Sequence, residues 1–208
     1  MEIIKIDPSS INQEKIQLIV QTLKQGRVCV LPTDTSYGLC ARADQKDATD
    51  KVYQLKRRVK DKSLSVFVKD MKMIDIISAL NEKNKKILKN YLPGSYTFII
   101  NKKQNILDNI SADKNTIGIR WISSVLLEDI FRHIDFPVTA TSANISNQAP
   151  IYNPKEIINL FKDKGMVPDL LVDAGKLKEI NPSTVVDLSS KTPIVLRQGK
   201  ENFNYAGY

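Results

Sequence analysis

The sequence predicts a single mixed α/β domain, and three observations carry that prediction. Short apolar runs of strand type, such as Val28-Cys29-Val30-Leu31, alternate with stretches whose apolar residues recur at helical spacing. The later half is richer in strand-type runs than the earlier half, which argues for a mixed sheet over a regular parallel one. With 208 residues, 42% of them hydrophobic and 26% charged, the chain has the apolar material for one core and no Gly/Ser linker to divide it. Residues 1–208 are therefore read as one domain.

Ile3 to Ile6 reads as the first strand, with Pro8-Ser9-Ser10 as a turn. From Ile11 to Lys24, apolar residues at Ile11, Ile16, Ile19, Val20 and Leu23 predict a helix that Gly26 caps. Arg27 to Leu31 is a strand. Asp47 to Arg57 reads as a helix, Leu64 to Val68 as a strand, and Met71–Leu80 and Glu82–Tyr91 as helical segments. Pro93-Gly94 turns the chain into a strand from Tyr96 to Ile100, and Thr116 to Trp121 forms another. Val125 to Ile134 is helical, Phe136-Pro137 breaks it, and Val138 to Thr141 is a short strand. Pro154 opens a helix running to Lys162. Leu170–Val172, Ser183–Leu188 and Ile194–Leu196 complete the strands.

The composition excludes several chemistries. There is neither a Gly-x-x-x-x-Gly-Lys-Ser/Thr nor a Gly-x-Gly-x-x-Gly pattern. The only histidine, His133, lies in a helical stretch and reads as a helix-surface residue, so histidine triads and most zinc hydrolase schemes fall away. Cys29 and Cys40 form no disulfide framework and no metal-ligand spacing; both read as free thiols, and no metal ligands are assigned. No apolar run reaches the roughly 20 residues that span a bilayer. The N-terminus lacks a signal-peptide core, and a cytoplasmic location is the expectation. Any catalysis must use Arg, Lys, Ser, Thr, Asn and carboxylates, a set suited to orienting anions. The net charge of +8 points the same way.

Candidate site residues stand at the ends of elements. The strand 28–31 empties into Pro32-Thr33-Asp34-Thr35-Ser36-Tyr37-Gly38-Leu39, and loops at strand ends are where α/β proteins place chemistry. The same residues would also serve an ordinary turn, with Tyr37-Gly38-Leu39 leading back into the core. Lys56-Arg57-Arg58-Val59-Lys60-Asp61-Lys62 closes a helix; it reads either as a solvated helix end or as an anion site. Thr116 and Arg120 bracket one strand, Ser142 and Asn144 follow another, Ser183 begins a third and Arg197 ends a fourth.

Taken together these segments resemble the YrdC/YciO family. Pro32–Leu39 is similar to its Pro-Thr-Glu-Thr-x-Tyr-Gly-Leu signature, Lys56-Arg57-Arg58 to Lys-x-Arg, and Pro93–Thr97 to Pro-Gly-x-x-Thr. Thr116–Arg120 is similar to Thr-x-x-x-Arg, Ser142-Ala143-Asn144 to Ser-x-Asn, Ser183–Asp187 to Ser-Thr-x-x-Asp, and Arg197-Gln198-Gly199 to the terminal Arg-x-Gly. The resemblance implies a twisted mixed sheet with flanking helices around a basic concave cavity. It also implies a threonylcarbamoyl-AMP synthase of the short, single-domain branch. Such an enzyme takes L-threonine, bicarbonate or CO2, and ATP with Mg2+, and makes threonylcarbamoyl-adenylate and pyrophosphate for the t6A modification of tRNA.

Carried over by position, Thr35, Arg120 and Ser183 would hold threonine, with the Ala140 carbonyl near its amine. Lys56, Arg58, Thr116, Ser142, Asn144 and Arg197, together with Lys62, would hold ATP; Lys56, Arg58, Ser142 and Asn144 would be the catalytic set. Downstream threonylcarbamoyl transferase proteins and tRNA or double-stranded RNA are the implied partners. Several positions depart from the pattern: Asp34 for glutamate, Val59 for proline, Lys62-Ser63-Leu64 for Asn/Lys-Pro-Leu, Phe67 for histidine and Asn147 for glycine. They lean toward the YciO branch, so the alternative is a diverged YciO-type paralogue that binds RNA or nucleotide without this activity.

Overall fold

A computed structural model describes residues 1–7, 10, 12–162 and 165–205. The expected turn at Pro8-Ser9 and the expected helical residue Ile11 lie outside the described residues. The strands are β1 (Glu2–Lys5), β2 (Cys29–Pro32), β3 (Tyr37–Cys40), β4 (Ser65–Phe67), β5 (Tyr96–Asn101), β6 (Thr116–Arg120), β7 (Val138–Ser142), β8 (Leu170–Asp173), β9 (Thr184–Asp187) and β10 (Ile194–Arg197). The helices are α1 (Gln13–Lys24), α2 (Lys46–Lys56), α3 (Met71–Ile77), α4 (Glu82–Tyr91), α5 (Asp108–Ser111), α6 (Val125–Phe131) and α7 (Pro154–Phe161).

All ten strands form one sheet in the order β1-β8-β2-β3-β7-β4-β6-β5-β9-β10. β8 runs parallel to both β1 and β2, β4 parallel to β6, and β5 parallel to β9; the other neighbours are antiparallel. The sheet is therefore mixed, as expected. Its centre is dry: Cys29, Val30, Leu31, Leu39, Val66, Phe98, Ile119 and Val172 are all buried. Such continuous apolar runs belong to strands covered on both faces. Helix α1 covers one end of the sheet, packing against β2 and α6. The side chain of Asn12 caps it by accepting from the Glu14 N–H at 2.7 Å. Gly26, at φ +70°, ends it as expected.

Two elements escaped the sequence. Tyr37–Cys40 is a full strand, paired with β2 on one side and β7 on the other, where only a return to the core is expected. Its four residues are too few to show periodicity and lie beside residues with turn chemistry. The one-turn helix α5 has the same excuse of brevity, being four residues long. The expected helix 71–80 stops at Ile77.

The hairpin β2–β3 places Cys29 opposite Cys40 in register, and both remain free thiols. Burial, with each other's charge as a lesser cause for Cys29, pushes Cys29 well up, and burial raises Cys40 to about 12. Neither is a nucleophile at neutral pH.

Candidate active site

The β2–β3 hairpin tip is built around one hydroxyl. Thr33 Oγ1 accepts from the N–H groups of Thr35 (3.2 Å) and Ser36 (3.3 Å) and donates to the Ser36 carbonyl (2.7 Å). These bonds fix Asp34 and Thr35 at the tip. The tip forms one wall of a cavity of about 250 Å3, to which β4 contributes Ser65 and Phe67, β5 Thr97, β6 Arg120 and β7 Ala140 and Ser142. Tyr152, Ile180, Pro182, Ser183 and Arg197 complete it from the far half of the chain.

All four residues expected around an amino acid therefore line one cavity: Thr35, Arg120, Ala140 and Ser183. The register explains why. Ser65 lies opposite both Gly118 and Ala140, and Phe67 opposite both Arg120 and Val138, so three adjacent strands deliver their residues together. Gly118 leaves the room that Ser65 fills; a Cβ there would stand 2.5 Å from the Ser65 hydroxyl. Arg120 is 8% exposed. Its Nη2 donates to Asp34 Oδ1 at 2.6 Å, and its guanidinium carbon lies 5.1 Å from the centre of the Phe67 ring. Ser183 Oγ meets Thr97 Oγ1 at 2.8 Å.

Arg197, at the end of β10, donates to the Ser183 carbonyl from Nη2 (2.8 Å) and Nε (3.2 Å). Its donors thus go to neutral oxygens. Burial of the guanidinium, and then the proximity of Arg120, hold it below the ordinary arginine range. Two guanidinia line this cavity, and Asp34 pairs with Arg120 alone from behind the lining, so the cavity carries surplus positive charge suited to an anion.

The residues expected around ATP divide. Ser142 and Arg197 line the cavity, whereas Lys56, Asn144, Arg58, Lys62 and Thr116 do not. Lys56 and Asn144 lie directly behind Ser142. Lys56, 2% exposed, donates to the carbonyls of Ser142 (2.6 Å) and Asn144 (3.1 Å) and to Asn144 Oδ1 (2.8 Å). That uses all three ammonium protons. Asn144 Oδ1 also accepts from Ser142 Oγ (2.6 Å), and its Nδ2 donates to the Gln148 and Ala149 carbonyls (2.6 and 3.1 Å). The pair holds the loop after β7 in shape. Burial, then Arg58, pushes the Lys56 amine down to about 7.

Arg58 donates to the carbonyls of Lys62 and Ser63, at 3.1 and 2.9 Å, and closes the loop 59–63. Lys62 is exposed. Thr116 sits at the opposite end of β6 from Arg120, about 13 Å away at strand rise. Arg57 adopts φ +49°, ending α2 in a left-handed turn that sends Lys56 inward and leaves Arg57 exposed. His133, just past α6, is also exposed, with Gln17 of α1 3.5 Å from its Nε2.

Sequence reasoning missed Ser65, Tyr152, Ile180 and Pro182 as lining residues, because none belongs to a segment with recognisable chemistry. Thr97 was legible in Pro93-Gly94-Ser95-Tyr96-Thr97. The partnership of Asp34 with Arg120 joins residues 86 positions apart and left no signal. Larger cavities, among them one of about 390 Å3 beyond Phe67 against α6 and one of about 770 Å3 along α4, bring together neither two arginines nor a ring of Ser and Thr hydroxyls.

Comparisons with known proteins agree with this fold. A family model for Sua5, YciO and YrdC proteins, described as "Telomere recombination", matches residues 21–199. A Methanocaldococcus jannaschii protein named putative threonylcarbamoyl-AMP synthase is 35% identical over 203 residues, covering 95% of this chain and 93% of the relative. The crystal structure of Escherichia coli YciO superposes with a TM-score of 0.87 at 25% identity, over 97% of this chain and 98% of that one. Pyrococcus abyssi Sua5, solved with L-threonine, gives the same TM-score at 24% identity, over 96% of this chain and 58% of the Sua5 chain. The chain belongs to the Sua5/YciO/YrdC family.

Proposed function

We propose that this protein is an L-threonylcarbamoyladenylate synthase, an ATP-dependent nucleotidyltransferase acting on L-threonine, bicarbonate or CO2, and ATP. The observation that carries the reading is the cavity with two guanidinia and one compensating carboxylate behind Arg120, ringed by the hydroxyls of Thr35, Ser65, Thr97, Ser142 and Ser183. The similarity to relatives named for this activity supports it. At about 250 Å3 the cavity suits an amino acid and falls below the roughly 300–1,000 Å3 of pockets that enclose drug-sized ligands. ATP would therefore lie across its mouth, near Ser142 and Arg197.

Within this reading Arg120 holds the α-carboxylate of threonine, as a guanidinium can meet both oxygens. The Ala140 carbonyl accepts from the amine, and the hydroxyls of Thr35 and Ser183 face the side chain. The amine adds to CO2 and loses a proton, giving a carbamate. A carbamate oxygen forms a bond to the α-phosphorus of ATP, and the bond to pyrophosphate breaks. Such a transfer needs alignment and charge compensation more than a strong base, and it suits a site built of Arg, Ser and Thr. Lys56 and Asn144 serve by fixing the loop that carries Ser142. The polar side chains lining the cavity are hydroxyls and guanidinia with no carboxylate among them, so Mg2+ would accompany the triphosphate. The adenylate would pass to threonylcarbamoyl transferase proteins that modify tRNA, in the cytoplasm.

The test is pyrophosphate release from ATP in the presence of Mg2+ and bicarbonate, with and without threonine. Threonine-dependent release is expected. Its absence across pH and bicarbonate concentration overturns the assignment and leaves a nucleotide- or RNA-binding paralogue as the reading to pursue.

A further inference from the structure

Arg120 and Asp34 meet in a way that leaves both incomplete. Nη2 donates to Oδ1 at 2.6 Å, yet Nε and Oδ2 are both buried without a hydrogen-bond partner. Side-by-side pairing of a guanidinium edge with a carboxylate would satisfy all four atoms. Here the contact is at a single point. The two side chains are 10% and 14% exposed, so bulk water does not make up the difference.

The two residues also occupy different layers. Arg120 lines the cavity and Asp34 does not, so the carboxylate acts on the guanidinium from outside the cavity. Asp34 is itself fixed, because Thr33 Oγ1 binds the next two backbone N–H groups. The Phe67 ring lies against the guanidinium at 5.1 Å and restricts it further. A flexible arginine in a positively charged cavity is thus held by one ion pair and one ring, with the rest of its donors uncommitted to protein.

Resting on the functional reading above, we propose that Asp34 is a positioning residue for the amino-acid substrate: its single contact aims Arg120 at the substrate carboxylate. Bidentate pairing would spend a whole edge of the guanidinium on Asp34. The single contact keeps Arg120 oriented while leaving Nε and Nη1 for a second carboxylate. The class of ligand selected is a small α-amino acid, and the effect of Asp34 falls on that ligand and not on ATP.

The experiment compares wild type with Asp34→Ala, Asp34→Asn and Asp34→Glu. Steady-state pyrophosphate release is measured with threonine and ATP varied separately. The expectation for Asp34→Ala and Asp34→Asn is a tenfold or greater rise in KM for threonine with KM for ATP within threefold, and for Asp34→Glu a recovery of most of the loss. A threonine KM within twofold of wild type in Asp34→Ala, or equal rises in both KM values, overturns the inference. A second arm follows the Arg120 side-chain nitrogens by 15N NMR. Separate Nη signals in wild type that merge in Asp34→Asn support the positioning role, and merged signals in wild type overturn it. A wild type that releases no threonine-dependent pyrophosphate overturns the functional reading instead, and the NMR arm still decides whether Asp34 sets Arg120.

Discussion

Lys56 illustrates how a residue can matter to a site without lining it. Its ammonium sits among three oxygens at 2.6, 2.8 and 3.1 Å, and at 2% exposure the surrounding protein supplies the hydration it lacks. Replacing it with methionine keeps the volume but strands three acceptors. Lys56→Met is expected to cost about 2–3 kcal/mol and, for a domain of this size, about 4–12 °C in Tm. The fold does not survive this change unscathed, contrary to what a purely phosphate-binding lysine implies. The pH dependence follows from the amine's fall from 10.5 to about 7, caused first by burial and then by Arg58. Between those values the unfolded lysine keeps a proton that the folded one gives up, so rising pH favours the folded state. The contribution is complete above about 10.5 and is lost as pH falls through about 7, with a slope of at most about 1.4 kcal/mol per pH unit. Urea unfolding at pH 7, 8 and 9 should show the stability gap between wild type and Lys56→Met widening with pH. A constant gap means that the three oxygens hold the proton on throughout. None of this was legible in the sequence: a lysine at the last position of an amphipathic helix reads as solvated, and its acceptors lie 86 and 88 residues away.

At the scale of elements, what could be read was whatever strand ends announce. Arg120 closes Thr116-Ile117-Gly118-Ile119-Arg120, Ser142 closes β7, and Ser183 immediately precedes β9; each stands where an apolar run begins or ends. The termini that bend the chain were not legible, because they rest on backbone geometry. Arg57 ends α2 at φ +49°, with the Arg57 and Arg58 N–H groups bonded back to Gln54 and Tyr53. Glycine is the residue suited to that position. Arg57→Gly should therefore stabilise the protein by about 1 kcal/mol and leave pyrophosphate release unchanged, since Arg57 faces solvent. A loss of activity in that variant would place Arg57 on substrate. Gly199 is the opposite case. A Cβ there would lie 2.1 Å from the Pro182 carbonyl oxygen and 2.5 Å from the Ser183 carbonyl carbon, so Gly199→Ala must push the cavity wall that carries Ser183. The expected result is about 1–3 kcal/mol of destabilisation together with a weakened threonine KM, measured by thermal unfolding and steady-state kinetics.

For the whole molecule, the sheet order decides that distant segments line one cavity. β3, β7, β4, β6, β5 and β9 are consecutive neighbours, and each contributes to the cavity or to its immediate border. Any ligand that bridges them stabilises the entire sheet by mass action. A ligand at 100 times its Kd adds about 2.7 kcal/mol, which for a chain of this length is about 5–11 °C in Tm. Under the proposed function the two substrates should not act independently. Burial first, and then the neighbouring Arg120, disfavours the charge on Arg197. A carboxylate on Arg120 offsets one charge, and a triphosphate at Arg197 offsets the other and covers the bound amino acid. Threonine and ATP together, with bicarbonate removed to prevent turnover, should therefore raise Tm by more than the sum of their separate shifts. The ATP part should shrink between 50 and 300 mM salt, because its phosphates meet solvent at the mouth, while the threonine part, at Arg120 beneath, should change little. Strictly additive shifts at both salt concentrations would place the two ligands in separate sites and break the link between this cavity and the transfer reaction.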